Sequence, residues 1–333
     1  MEPTLDPFSP PSFEPPPHPP RGIATDAWLA LTVCLALFLT LGLMVQATDI
    51  GFGVWFTEVF IILGTGWVML RATGRSPTRF TRMSEVRFGP MLFGFLLGVV
   101  NYVAVVIPLQ FLTTSIAPKS WLIDESQIFA QASHLELAAV ILGVSVVAPI
   151  CEEFLFRGVL QRSLSLGWGR PTRAVLVAAV VFSAFHFDPV GFLPRLELGL
   201  LFGLLYLRYD SLWPGICAHA ANNGVPTLIY FLAGGATAQD STPQVRDVLS
   251  LAMVGLGALL LLLWIARHVR AWAPRTSNPE LDPIEQPPRS VPHAAMPWAW
   301  AALGILIVFY GVRELRARAN RPEPTPIPRV IKL

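Results

Sequence analysis

Ala27–Gln46 runs for twenty residues without a charged side chain, the length a helix needs to cross the hydrocarbon layer of a bilayer. Further apolar runs, some shorter or interrupted by charges, recur at Gly53–Leu70, Pro90–Leu112, Leu135–Leu166, Thr172–Phe187, Pro194–Leu207, Leu212–Leu232 and Val248–Ala266. A soluble fold has no means of burying so many. Only 14% of the 333 residues are charged, against about 25% in soluble domains. The sequence therefore predicts an all-α polytopic membrane protein with eight spans, and Pro297–Val312 as a marginal ninth membrane segment.

The net charge of +2 offers nothing to a nucleic acid. Cys34, Cys151 and Cys217 all lie in apolar runs without paired spacing. They read as small buried residues, neither a disulfide framework nor a zinc site.

Residues 1–26 are proline-rich and lack an apolar run, so they are expected to form a disordered tail, a tether and not a signal peptide. Residues 27–134 hold the first three spans and their loops, 135–232 the next four, and 233–333 the last span, a proline-rich linker, the marginal segment and a basic tail. Basic loops stay cytoplasmic. Arg71, Arg75, Arg79, Arg82 and Arg87, then Arg162, Arg170 and Arg173, then Arg208, then Arg267 and Arg270 all fall on one side, against Lys119, Arg195 and Arg246 on the other. This places the N-terminus in the cytoplasm. The near absence of lysine beside many alanines and arginines points to a bacterial cell membrane.

Within this apolar background Cys151-Glu152-Glu153-Phe154-Leu155-Phe156-Arg157 is anomalous. A charge in a bilayer costs roughly 2.5–3.5 kcal/mol on insertion scales and usually lines a cavity or carries a function. Three pairs share a four-residue spacing: Glu153 and Arg157, Phe182 and His186, His219 and Asn223. Residues at i and i+4 lie on one helix face. Counting 1.5 Å per residue from the cytoplasmic turns puts Glu153 and His186 about 21 Å deep, Asn223 about 18 Å and His219 about 12 Å. Three helices thus converge two carboxylates, two imidazoles and an amide. A carboxylate in a low-dielectric cavity is a competent base near neutrality, and donors from one face suit a tetrahedral oxyanion. No serine or cysteine stands out as a nucleophile, so the chemistry expected is water attack on a peptide bond.

Each pair alone has a plainer reading. Glu153 and Arg157 can be an ion pair at a helix end, and His219 with Asn223 can be interhelical glue worth about 1 kcal/mol. Phe182 reads as packing that positions His186. Glu58 is assigned only to a cavity wall or interface, and Glu197 to a helix start near Arg195. Together and in order, the three motifs (Glu-Glu-x-x-x-Arg, Phe-x-x-x-His and His-x-x-x-Asn) resemble those of the CPBP intramembrane proteases, also called Abi, which include the type II CAAX prenyl endopeptidases. The likeness covers about 135–230.

The resemblance implies an eight-helix core that cleaves near a lipidated or membrane-embedded site. It assigns Glu153 with His186 to water activation and His219 with Asn223 to the oxyanion; Glu152, about 100° round the helix from Glu153, reads as support for the site, and Arg157 as the structural partner of the glutamates. Metal-free catalysis is favoured. The zinc alternative uses Glu153, His186 and His219 as ligands, but the chain lacks His-Glu-x-x-His and asparagine is a poor zinc ligand. The partners implied are the bilayer and a membrane protein or lipidated peptide substrate. The competing functions are a catalytically idle scaffold or immunity protein on the same fold, and a proton-coupled transporter. The clustering of polar sets in 152–223, with no earlier counterpart, weighs against transport.

Overall fold

The structure is a computed structural model that describes residues 22–122, 134–232 and 244–273. The proline-rich N-terminal segment to residue 21, the acidic loop at Asp124 and Glu125, the proline-rich linker, Pro297–Val312 and the basic tail lie outside the described residues.

Among the described residues eight long helices carry the fold: α1 (Ile23–Thr48), α2 (Ile50–Ala72), α3 (Phe88–Ile116), α4 (Leu135–Trp168), α5 (Pro171–Ala184), α6 (Phe192–Tyr209), α7 (Trp213–Leu232) and α8 (Val245–His268). No strand occurs among the described residues. Helices satisfy every backbone group internally, which a lipid environment demands. Five of them, α1 to α4 and α8, are long and apolar enough to cross a membrane. The protein is an integral, multi-pass membrane protein. Its outer surface is correspondingly apolar, with Phe52, Phe60, Val68, Met253, Val254 and Trp264 all exposed. On α8 only Val248, Gly255 and Leu262 are buried, a seven-residue repeat that turns a single seam toward the bundle.

Prolines shape the helices that carry the site. In α3 and α4 a widened, π-type stretch, Tyr102–Val106 and Gly143–Val147, ends two residues before Pro108 and Pro149. A proline ring clashes with the carbonyl four residues back. The wider turn moves that carbonyl aside, so each helix continues. Glycines set the packing. A side chain at Gly94 or Gly98 of α3 would strike the backbone carbonyls of Pro214 and Ala218 on α7. This small-xxx-small contact brings two parallel helices together at backbone distance, directly beside His219.

One end of the bundle is tied by arginines. Arg75 pairs with Asp26 at 3.2 Å, while Arg82 and Arg162 reach Asp210 at 3.0 and 3.2 Å. Trp213 Nε1 donates to the Met83 carbonyl at 2.8 Å. Burial pushes the Arg75 guanidinium below its ordinary value, against the opposing pull of Asp26. This pair also corrects the expected boundary of the N-terminal tail. Ile23–Asp26 belong to α1, because Asp26 is buried and neutralised by Arg75 from the loop after α2.

Candidate active site

Glu152 and Glu153 close the segment Ala148–Glu153 of α4, flanked by the widened stretches Gly143–Val147 and Phe154–Gln161. Adjacent helical residues point about 100° apart, so the two carboxylates meet different surroundings. Glu153 is 1% exposed and its Oε1 is engaged twice, by Arg157 Nη1 at 2.8 Å and by His219 Nδ1 at 3.0 Å. A carboxylate paired with arginine can only accept, so the proton between Glu153 and His219 sits on Nδ1. Its other oxygen faces Gly215 of α7, where a Cβ would lie 3.2 Å from it.

Arg157 is fully buried, and α6 completes its coordination. Nη2 donates to the Gly199 carbonyl at 3.1 Å, and the guanidinium lies 4.4 Å from the Phe182 ring centre and 5.3 Å from that of Phe202. One turn along, Gln161 Nε2 donates to the Gly203 carbonyl at 2.9 Å. Two side chains of α4 therefore grip two glycine carbonyls of α6, which are open to them because glycine has no side chain in the way. The His219 ring stacks on Phe202 with centroids 4.8 Å apart and meets the edge of Phe182 at 5.8 Å.

Glu152 is placed otherwise. Its Oε2 has no hydrogen-bond partner and lies 3.7 Å from His219 Nε2, too far for a hydrogen bond. His186 Nδ1 lies 2.9 Å from the Phe182 carbonyl, and a carbonyl only accepts, so the ring presents Nε2 as a free acceptor. The imidazole remains exposed just beyond the end of α5. Phe187, the next residue, holds a left-handed φ of 52°, which costs a bulky residue about 1–2 kcal/mol and turns the chain sharply after the histidine.

The amides stand higher. Asn223 Nδ2 donates to the Val144 carbonyl at 3.0 Å, inside the widened stretch before Pro149, and Asn222 Nδ2 donates to Asn223 Oδ1 at 3.3 Å. One N–H of Asn223 remains available. Thus Glu152, Glu153, Arg157, Phe182 and His219 form one contact cluster. His186 joins it through Phe182 at 5.0 Å, and Asn223 is anchored one turn beyond His219 on α7. Among the described residues, no three His, Cys, Asp or Glu side chains are arranged to hold a metal ion. Glu153 Oε1 is taken by Arg157 and by His219 Nδ1, and His186 Nδ1 lies against the Phe182 carbonyl.

Sequence reasoning passed over Gly199, Gly203, Gln161 and Phe202. The first two carried a signal, the Gly-x-x-x-Gly spacing on α6. Glu197, read as positional, accepts a hydrogen bond from Asn101 at 3.0 Å, while Arg195 pairs with Asp188 at 2.9 Å.

Residues 134–225 match the family model described as type II CAAX prenyl endopeptidase Rce1-like. That stretch is a domain of this family. The Rce1-like domain begins with α4 and stops two residues after Asn223, so it contains all three motifs and leaves α1 to α3 and α8 outside. No curated protein and no solved structure matches the chain.

Proposed function

We propose that the chain is an intramembrane endopeptidase that hydrolyses a peptide bond of a membrane-associated or lipidated protein, using water activated by Glu152 and His186. The observation that carries this reading is the division of labour in the acidic pair. Glu153 Oε1 is taken by Arg157 and His219 and its unpartnered Oε2 lies against Gly215, whereas the unpartnered Oε2 of Glu152 lies 3.7 Å from His219 Nε2. The sequence ranks Glu153 as the base. The geometry favours exchanging the two roles, with Glu153 orienting His219 and Glu152 meeting the water.

Two acceptors, Glu152 and His186 Nε2, suit one water molecule. Glu152 takes its proton as the oxygen adds to the peptide carbonyl. His219 Nε2, when the ring carries its second proton, and the spare N–H of Asn223 donate to the oxyanion. The C–N bond then breaks as Glu152 returns the proton to the leaving amine, giving a carboxylate and an amine. Arg157 and Phe182 hold the framework. No metal enters any step.

The Rce1-like domain supports a substrate at the membrane surface or carrying a lipid. The arginine-tied end supports an N-terminus on the cytoplasmic side of a bacterial cell membrane. The test compares membrane peptide profiles of cells carrying wild type, Glu152→Gln or His186→Ala. Products present only with wild type are expected; identical profiles from all three would sink the proposal.

A further inference from the structure

His186 lies in the connection 185–191 between α5 and α6 and is exposed there. The next residue, Phe187, has the left-handed φ of 52°. A bulky residue keeps such a conformation only where its surroundings impose it. Several ties do so. Ser183 Oγ donates to the Phe192 carbonyl at 2.6 Å and joins the two helix ends. Phe185 and Phe187, on either side of His186, both pack on Phe38 of α1, with ring centres 5.7 and 6.5 Å from it.

The polar tie is the most specific. Asp188 Oδ1 accepts from the Val190 amide at 3.0 Å. Arg195, in the first turn of α6, reaches back and donates from Nη1 to Asp188 Oδ2 at 2.9 Å. Its path runs over Gly191, where a side chain would collide with Nη1 and lie 2.6 Å from Asp188 Oδ2. The pair is half-buried, so solvent screens it less than a surface pair. Ion pairs of this kind add little to global stability. This one need only outweigh the strain of a single residue.

We propose that Asp188 and Arg195 are positioning residues for His186. Their ion pair pins Phe187 in its left-handed conformation and so fixes the direction from which the preceding imidazole offers Nε2. Both act through His186, a role that rests on His186 engaging the water. Nothing in the three motifs marks either residue, yet the third helix end of the site depends on them.

The test follows amide hydrogen exchange by mass spectrometry in the full chain, reconstituted in phosphatidylcholine vesicles, for wild type, Arg195→Ala and Arg195→Lys. The amides of His186 and Phe187 donate to the Ser183 and Ala184 carbonyls at 3.3 and 3.1 Å. In Arg195→Ala they are expected to exchange about 10-fold faster, with α4 and α7 unchanged. Arg195→Lys keeps the charge and should hold the wild-type rate. On a peptide drawn from the wild-type product profile, Arg195→Ala should lower kcat about 10-fold at an unchanged KM, and Arg195→Lys should restore it. Unaltered exchange at 185–191, faster exchange spread equally over α4 and α7, an unfolded Arg195→Ala chain, or an unchanged kcat would each overturn the proposal. The two claims fail separately. Full cleavage by His186→Ala removes that histidine from the reaction, whereas exchange rates that Arg195→Ala leaves alone remove the clamp.

Discussion

The two neighbouring glutamates teach more by contrast than either does alone. Around Glu153 one oxygen is held by a buried arginine and a histidine, Arg157 and Gln161 tie α4 to two carbonyls of α6, and the second oxygen of Glu153 is shut against Gly215. Glu152 makes no arginine pair, and its buried, unpartnered Oε2 lies 3.7 Å from His219 Nε2. A network completed internally resists change and fixes geometry. Groups left unpaired in a buried place keep their capacity for water and substrate. One helix turn thus builds both the frame and the reactive edge.

The contrast breaks most visibly at Arg157. Arg157→Ala leaves the buried Glu153 without its cation, which is expected to cost about 3–5 kcal/mol. Thermal unfolding in detergent should show a large drop for this variant. On the reactive side, Asn223→Ala should slow cleavage by roughly 10²-fold or more, as loss of an oxyanion donor does, measured as kcat on a peptide drawn from the wild-type product profile. A smaller effect is expected beneath His219. Gly98→Leu forces α3 from α7 and should cost about 1–3 kcal/mol, lowering both the unfolding temperature and activity. Least of all, Glu152→Gln should alter stability by less than about 1 kcal/mol, because no hydrogen bond to that oxygen is lost.

Much of this was legible in the residues. Five of the eight expected spans follow from apolar run length, and the helices begin and end within a few residues of the expected runs because lipid leaves backbone groups no partner outside a helix. The start of α1 was missed because Asp26 looks like a tail residue until Arg75 is placed beside it. Spacing of four identified the faces of Glu153, His186 and His219, since helical period alone dictates it. The different surroundings of Glu152 and Glu153 were not legible. They depend on which side of α4 meets α6 and which meets α2, and no local pattern encodes that choice. Phe202 was invisible for the same reason: an aromatic on an apolar helix resembles any other until a histidine stacks on it.

The most direct test of the account sets Glu152→Gln against Glu153→Gln in the reconstituted full chain, with peptide cleavage and unfolding temperature measured on the same preparations. The account predicts that Glu152→Gln abolishes cleavage at an unchanged unfolding temperature. Glu153→Gln should unfold at a distinctly lower temperature and retain residual cleavage while folded. A stable, inactive Glu153→Gln beside an active Glu152→Gln would contradict it and return the role of base to Glu153.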